Sequence, residues 1–408
     1  MTTTRTTCRD CGSPLDTVLN LGTRYVSSFP RPGDPPLPAV PLHLTQCVKP
    51  TCGLVQLADT TDPDLLYGGD YWYRSGVNET MVAELRSIVE QASRYTPVKR
   101  GSVVLDLGAN DGTLLDHYPS GCHRIGVEPS ATFDRPSMTA DEWRTAFFPD
   151  ADLIDEFRGR VRVITSIACL YDLDDPHAFV QGVADLLAPD GIWIVQFQDL
   201  AQMLAATAFD NLCHEHLFYP SLHAIEHLIA PHGLEVVHAE RRSINGGSLR
   251  LIIKKGGSQT ISTSVNDCRK AEADWLGWEA LAKFSWRVNQ AAAQVRGAVD
   301  AARAAGLTVD LYGASTKGNT LLQVAALGPD RIRQAWERSP AKVGRTTVTG
   351  IPIVSEEAGR ADPPASLLCN IWQFREAVLQ REAAYLAAGG AMIFPLPEVD
   401  VVQQARVR

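Results

Sequence analysis

An α/β chain with two strand–turn–helix units behind a cysteine-stapled N-terminal segment is predicted here, and three stretches carry the prediction. Val103-Val104-Leu105-Asp106-Leu107-Gly108-Ala109-Asn110-Asp111-Gly112-Thr113-Leu114-Leu115 reads as a short buried strand, a tight glycine turn and a helix. Leu307 to Thr320 repeats the scheme around Gly313-Ala314-Ser315-Thr316-Lys317-Gly318. Cys8-Arg9-Asp10-Cys11-Gly12 and Cys47-Val48-Lys49-Pro50-Thr51-Cys52-Gly53 supply two closely spaced cysteine pairs. We therefore expect an N-terminal zinc-binding domain over 1–70 and a central Rossmann-like domain over 71–255. A second Rossmann-like α/β domain, led by a long helix, is expected over 256–408.

Length and composition bound the function. The chain has 408 residues, enough for two or three domains with their own cores. Its residues are 45% hydrophobic and 21% charged, the balance of a soluble globular protein. A net charge of −9 argues against nucleic-acid binding, which rests on neutralising phosphates. It does not argue against one anionic small substrate, which a few local Arg and Lys can hold. No apolar run reaches membrane-spanning length, and Met1-Thr2-Thr3-Thr4-Arg5 lacks an apolar signal core, so the chain reads as cytoplasmic. Nine cysteines, an odd number, fit free thiols plus one metal site better than a disulfide framework.

Cys8, Cys11, Cys47 and Cys52 can satisfy tetrahedral Zn²⁺ and close the site, leaving no position for a catalytic water. The Pro-rich segment between the pairs shows no helical period and can bury little core, so a structural metal makes physical sense. Asp70-Tyr71-Trp72-Tyr73-Arg74-Ser75-Gly76 follows, ahead of a helix over about 77–94 marked by Val77, Met81, Leu85, Ile88 and Val89. Tyr71 and Tyr73 fit packing between domains and the lining of a substrate pocket equally well.

The first glycine turn is not a dinucleotide fingerprint. Asn110 stands where the second glycine of G-x-G-x-x-G belongs, and Gly112 comes too early to be the third. The acid-x-Gly-x-x-x-Gly pattern after a strand looks like the first motif of a class I S-adenosylmethionine (SAM) methyltransferase, although a plain turn in any α/β sheet shares it. Arg124-Ile125-Gly126-Val127-Glu128 reads as the next strand, and an acid at its end can take both hydroxyls of a ribose. On this reading Asp106, Gly108, Asn110, Gly112 and Glu128 bind the cofactor. Val161–Ile167 reads as a further strand. A helix over about 177–187, an Ala188-Pro189-Asp190-Gly191 turn and an Ile192–Phe197 strand follow, again as in a methyltransferase sheet.

Phe209-Asp210-Asn211-Leu212-Cys213-His214-Glu215-His216 is the chemical centre. No third ligand at metal spacing accompanies the histidines. A His takes a proton at neutral pH, and a neighbouring carboxylate can orient it and raise its basicity. A polar cluster with no chemistry would show the same spacing. Downstream, Leu222, Ile225, Leu228 and Ile229 mark a helix ending near Pro231-His232-Gly233, then a strand over Leu249–Lys254 is expected whose Arg250 is either an anion holder or an ordinary strand charge. After a polar linker over 256–266, a long helical region covers about 267–305. The second glycine turn is an anion cradle at a helix N-terminus rather than a P-loop, because Lys317 precedes Gly318. We expect it to hold the phosphates of a second ligand. A late strand at Ser366–Trp372, a helix over Arg375–Ala387 and a closing strand at Ala391–Pro395 complete the chain.

Taken together and in this order, the paired cysteines, Gly53-Leu54-Val55-Gln56-Leu57, Tyr71-x-Tyr73, the first glycine motif, His214-Glu215-His216, Asn245-Gly246-Gly247-Ser248-Leu249-Arg250 and Gly313–Thr320 resemble the three-domain sugar C-methyltransferases. These act at C3 of TDP-linked 4-keto-deoxysugars in antibiotic pathways. The resemblance spans nearly the whole chain. It implies a zinc domain that caps the active site, a class I SAM methyltransferase domain, and a Rossmann-like domain that holds the substrate's nucleotide. It implies His216 as the base that removes the proton beside the ketone, Glu215 as its neighbour and Tyr73 as the pocket phenol, with methyl transfer from SAM to the enolate. It places Asn211, His214, Arg250, Ser315, Lys317 and Asn319 on the nucleotide-linked sugar, with no nucleic-acid or membrane partner and with a monomer compatible. The chain departs from the family pattern twice. Cys213 stands where members carry a Tyr two residues before the Glu, and Asp172 lies nearest the place of a His after the fourth strand.

Overall fold

The computed structural model describes residues 2–67, 73–130, 139–257 and 261–403; Tyr71 lies outside them. In chain order, β1 (Leu15–Tyr25), β2 (Ala39–Cys47) and β3 (Val55–Leu57) precede α1 (Glu79–Tyr95). Then come β4 (Val103–Leu107), β5 (His123–Val127), β6 (Glu142–Arg144) and β7 (Val161–Ile167). Helix α2 (Pro176–Leu186) runs into β8 (Leu187–Gln198), followed by β9 (Phe218–Tyr219), α3 (Leu222–Ile229), β10 (Leu234–Arg242), β11 (Ser248–Lys255) and α4 (Thr263–Ala273). The remainder holds α5 (Trp278–Ala304), β12 (Val309–Tyr312), α6 (Thr316–Val324), β13 (Ala335–Glu337), β14 (Ile353–Ser355), β15 (Ser366–Cys369), β16 (Ala391–Phe394) and β17 (Asp400–Gln403).

These elements form two compact units, neither of which is a single stretch of chain. One comprises Met1–Thr17, Leu44–Gln202 and Glu215–Gly277; the other comprises Val18–His43, Met203–His214 and Trp278–Arg408.

In the first unit a seven-stranded sheet runs in the order β10-β11-β8-β7-β4-β5-β6. Five neighbouring strands, β8 to β6, are parallel, and β11 is antiparallel to both its neighbours. The chain leaves β4 on one side for β5 and β6 and on the other for β7 and β8. The carboxyl ends of β4 and β7 therefore flank a topological switch point, the place where open α/β sheets bind ligands. Alternation of side chains sorts the strands onto two faces. Val104, Val163, Ile192, Ile194 and Ile252 pack with Met81, Leu85 and Ile88 of α1. Leu105, Leu107, Ile164, Trp193, Val195, Leu251 and Ile253 pack on the other face, in one apolar cluster with Cys8, Cys47, Cys52 and Leu54 of the N-terminal segment.

Helix α1 starts where the sequence stops favouring extended chain. Asn78 is extended and its side chain accepts from the Thr80 N–H, a cap that contributes about 1 kcal/mol. The helix then presents Glu84, Ser87 and Gln91 on one face to Arg250 of β11. The helix expected after the first glycine turn is absent: only a single 3-10 turn, Leu115–His117, forms. Pro119 explains it, because the residue before a proline is driven out of the helical region and Tyr118 is extended (ψ 148°). The helical region expected over 267–305 is two helices, broken at Gly277, which has φ +107°.

The second unit holds a six-stranded sheet in the order β14-β13-β12-β15-β16-β17, parallel except for the last pair. Strand β12 is again the first of its sheet, with β13 and β14 on one side and β15 and β16 on the other. Strand β17, past the expected closing strand, pairs antiparallel with β16. Helix α5 buries Leu281, Phe284, Val288, Ala291, Val295 and Val299, a stripe at spacings of three and four.

Candidate active site

The first glycine turn is built to bring the backbone close to a ligand. Gly108 has φ +72°, and a Cβ there would stand 2.8 Å from Cys169 Cβ, so only glycine fits. The N–H groups of Gly108 and Ala109 donate to Val127 O at 2.9 and 3.0 Å, which ties the turn to the end of β5. Asn110, at φ +52°, donates its N–H to Glu128 Oε2 at 2.9 Å, and Ser130 N–H donates to Oε1 at 2.9 Å. Each oxygen keeps a lone pair for a further donor such as a ribose hydroxyl. Burial pushes the Glu128 carboxyl up, against those two N–H bonds.

Asn110 also reaches back to the segment before α1. Its Nδ2 donates to Tyr73 O at 3.0 Å and its Oδ1 accepts from Ser75 N–H at 3.0 Å, while Gly76 N–H donates to Asp111 Oδ2 at 2.8 Å. Tyr73 is thereby brought to the glycine turn, with its side chain partly in solvent. Asp106 is 3% exposed and takes the Thr165 hydroxyl at 2.6 Å. Burial, reinforced by Glu128 and opposed by Thr165, pushes its carboxyl up to about 7. It shapes the turn rather than presenting itself to solvent. These residues fit a nucleoside-bearing cofactor: a backbone cradle that a Cβ would fill, and a strand-end carboxylate with acceptor capacity to spare.

His216 lies at the same switch point. Leu217 N–H donates to Tyr171 O at 2.8 Å, in the turn that follows β7, and the Tyr171 ring meets the His216 ring edge-on at 4.6 Å. A Glu215 carboxylate oxygen lies within 4.8 Å of a His216 ring nitrogen. Burial pushes the Glu215 carboxyl up to about 7. The following residues, Phe218 and Tyr219, pair as β9 with β3, so the strand after the second cysteine pair anchors the motif. Tyr171 was not among the expected site residues. Its position just beyond the carboxyl end of a central strand is the signal that marks it.

The four cysteines converge. Cys8 and Cys52 Sγ are 3.7 Å apart, Cys11 and Cys47 3.4 Å, and all four lie within 4.8 Å of one another. Tetrahedral zinc–thiolate bonds require an edge of about 3.8 Å, so the donor set fits Zn²⁺. Gly12 (φ +70°) and Gly53 (φ +59°) make the two knuckle turns. Contact with Cys52 holds the Cys8 thiol down to about 5, whereas burial pushes Cys47 up to about 12. Asp10, inside the first knuckle, accepts from His227 of α3 at 2.8 Å and from His177 of α2 at 3.2 Å. The zinc is structural: four thiolates leave no open position.

In the second unit Ser315 caps α6, accepting from Gly318 N–H at 3.0 Å. A Cβ on Gly318 would fall 1.7 Å from Asn370 Nδ2, so that helix start admits glycine alone. Lys317 is half-buried; desolvation lowers its ammonium while Asp210 raises it. His214 is buried, with Nε2 3.1 Å from Val40 O, and Asn211 is buried in the 3-10 turn Phe209–Asn211. Two expectations yield to structural roles. Asn319 spends its Nδ2 on Ser27 Oγ and Ser28 O, and its Oδ1 on Val348 N–H. Arg250 is 2% exposed and its guanidinium is spent on Gln196, Gln91, Glu84 and Ser87. Burial alone would push the Glu84 carboxyl up; Arg242 and Arg250 outweigh it and hold it below the ordinary range. Removing one partner of such a buried pair costs about 3–5 kcal/mol.

Comparison with known proteins matches this architecture part by part. Family models match as a zinc binding domain over residues 8–67, a methyltransferase domain over 77–239 and a C-methyltransferase C-terminal domain over 243–397. The chain is 29% identical over 378 residues to the C-methyltransferase NovU of Streptomyces niveus, covering 89% of this chain and 87% of that one. Among solved structures, protein PH0226 of Pyrococcus horikoshii aligns over 45% of this chain and 95% of its own, at 16% identity and a TM-score of 0.36. The CcbJ methyltransferase of Streptomyces caelestis aligns over 43% of this chain and 90% of its own, at 17% identity and a TM-score of 0.34. The fold, the glycine cradle and the matched models define a SAM-dependent methyltransferase with a structural zinc site. The three models follow one another along the chain in this order, and the likeness to NovU runs across all of them.

Proposed function

We propose that this C-methyltransferase acts on a nucleotide-linked ketosugar, at the carbon beside the ketone, with C3 of a 4-keto-deoxysugar as the specific form. One observation carries the mechanism: His216 is set at the switch point of the sheet, braced edge-on by Tyr171 and beside Glu215. A C–H next to a carbonyl is acidified, and an oriented imidazole can remove its proton at neutral pH. In this reading His216 takes that proton and Glu215 steadies the imidazolium that results. The electron pair moves to the ketone oxygen, and the carbon of the enolate is the nucleophile. When bound, S-adenosyl-L-methionine supplies an electrophilic methyl group. The Gly108–Gly112 turn would hold it, with Glu128 on its ribose, Asp106 supporting the turn and Tyr73 at the pocket edge. Lys317 and the Ser315-capped start of α6 would take the phosphates of the sugar nucleotide.

His216→Asn keeps a polar side chain of similar reach but cannot accept the proton. We expect turnover to fall by a factor on the order of 10²–10⁴ while SAM affinity, measured by calorimetry, stays within twofold. Wild-type turnover in this variant would remove His216 from its role. Incubation of the accepted substrate in deuterium oxide should also exchange the C–H beside the ketone in wild type and not in the variant.

A further inference from the structure

Asp210 sits in the 3-10 turn Phe209–Asn211 and is 1% exposed. Its Oδ2 accepts two hydrogen bonds, from Trp372 Nε1–H at 2.8 Å and from Gln373 Nε2–H at 3.1 Å. Its Oδ1 is buried with no hydrogen-bond partner among the described residues. A buried acceptor left unpaired is unfavourable, the more so for a charged group, so the second unit carries a polar atom that its own described side chains do not satisfy. Asn370 repeats the pattern. It is 2% exposed, its Nδ2 donates to Gly313 O at 3.1 Å, and its Oδ1 has no hydrogen-bond partner among the described residues.

The place of these atoms gives them meaning. Gly313 follows β12 and Asn370 follows β15, which pair in parallel, and the chain leaves β12 for β13 on its other side. This is the switch point of the second sheet. Helix α6 begins there, and Asn370 packs against its Gly318. The 3-10 turn that carries Asp210 is fastened to α6 by the Thr320 hydroxyl, which donates to Leu212 O at 2.9 Å. Lys317 of the same helix is the cation that acts on Asp210, pulling its carboxyl down against burial. An ammonium and a helix N-terminus suit an anion; an unpaired carboxylate oxygen beside them suits a donor on the same ligand.

We propose that Asp210 is a specificity-determining residue. Its Oδ1 accepts a hydrogen bond from an O–H or N–H group of a ligand whose phosphate rests on Lys317 and the first turn of α6. The inference rests on the sugar-nucleotide reading above and adds to it the residue that reads the nucleoside. The donor is either a sugar hydroxyl or the imide N–H of a pyrimidine base.

Calorimetric titration of the full chain with thymidine 5′-diphosphate and with inorganic pyrophosphate tests it. We expect wild type to bind the nucleotide at least about tenfold more tightly than pyrophosphate. Asp210→Asn keeps an acceptor for Trp372 and Gln373 but offers an NH₂ in place of the second oxygen. It should lose about tenfold or more toward the nucleotide and stay within about twofold toward pyrophosphate. 3′-Deoxythymidine 5′-diphosphate lacks the hydroxyl and N3-methylthymidine 5′-diphosphate lacks the imide N–H. Whichever one removes the donor should bind wild type and D210N alike. If D210N melts below the assay temperature, the wild-type protein alone decides: whichever of the two analogues removes the donor should bind at least about tenfold more weakly than thymidine 5′-diphosphate, and equal binding of all three overturns the specificity role. Unchanged nucleotide affinity, or equal loss toward both probes, overturns the specificity role and leaves the sugar-nucleotide reading standing. A wild-type protein that binds neither probe overturns both.

Discussion

Asp106 is a carboxyl sealed beneath the first glycine turn, with Thr165 as its hydrogen-bond donor and Glu128 close enough to raise it further. Its folded value of about 7 lies above the ordinary 3.8, so between those values the folded protein binds its proton more tightly than the unfolded chain does. The stability this contributes is present at the acid end and is lost as pH rises through 7. Asp106→Asn still accepts from Thr165 and cannot titrate. Without ligand, we expect its melting temperature to gain on wild type as pH goes from 5 to 8; an offset that stays flat across that range would show that Asp106 does not titrate as described. The same residue shows what a sequence conceals. Asp106, Arg250 and Asn319 each stand in a recognisable motif, yet each is consumed by neighbours far away in sequence, such as Glu84 for Arg250 and Ser27 for Asn319. Asp210 escapes a sequence reading for the converse reason: nothing local marks a carboxylate whose partners, Trp372 and Gln373, come 162 and 163 residues later.

At the scale of elements, strands were legible wherever a run of apolar residues met a glycine turn, because burial on both faces and backbone strain both leave marks in composition. The β4 and β12 turns are of this kind. Helix ends were harder to place. The Pro119 brake on the first turn and the break at Gly277 are single-residue signals inside otherwise helical patterns. The two cysteine knuckles were readable from spacing, but their shared burial with Leu54 against the seven-stranded sheet was not. That burial sets a prediction. Cys47→Ser or Cys52→Ser should release zinc, lowering the measured content from one ion per chain toward none, and should lower the melting temperature. Cys122→Ser, which removes an equally buried thiol away from the knuckles, should retain the ion. Full zinc content in Cys47→Ser would remove it from the ligand set.

For the molecule as a whole, a charge of −9 gives no long-range attraction for anions, so the proposed sugar nucleotide would be held through local groups such as Lys317 and the start of α6. Among the described residues no helix is long and apolar enough to cross a membrane. Two cradles in two compact units predict two separate footprints in hydrogen exchange. SAM at about 100 times its Kd should add about 2.7 kcal/mol to the stability of the part that binds it, with slowed exchange centred on residues 103–112 and 126–130. Thymidine diphosphate should slow exchange at 313–320 and 370–373. Exchange slowed by both ligands in one unit alone would reassign one of the cradles.

The path of the chain between the units has a consequence for biosynthesis. Residues 18–43 emerge early from the ribosome, yet they belong with residues 278–408. Phe29 and Pro30 wait for Arg345 and Thr346, and Ser27 waits for Asn319. Nearly three hundred residues must be synthesised before Ser27 meets this partner. Closing so long a loop is slow, and the segment stays open to wrong pairings in the meantime. Translation speed and chaperone supply should therefore govern the yield of active enzyme more than final stability does, and no single cut in the polypeptide would release a self-sufficient half.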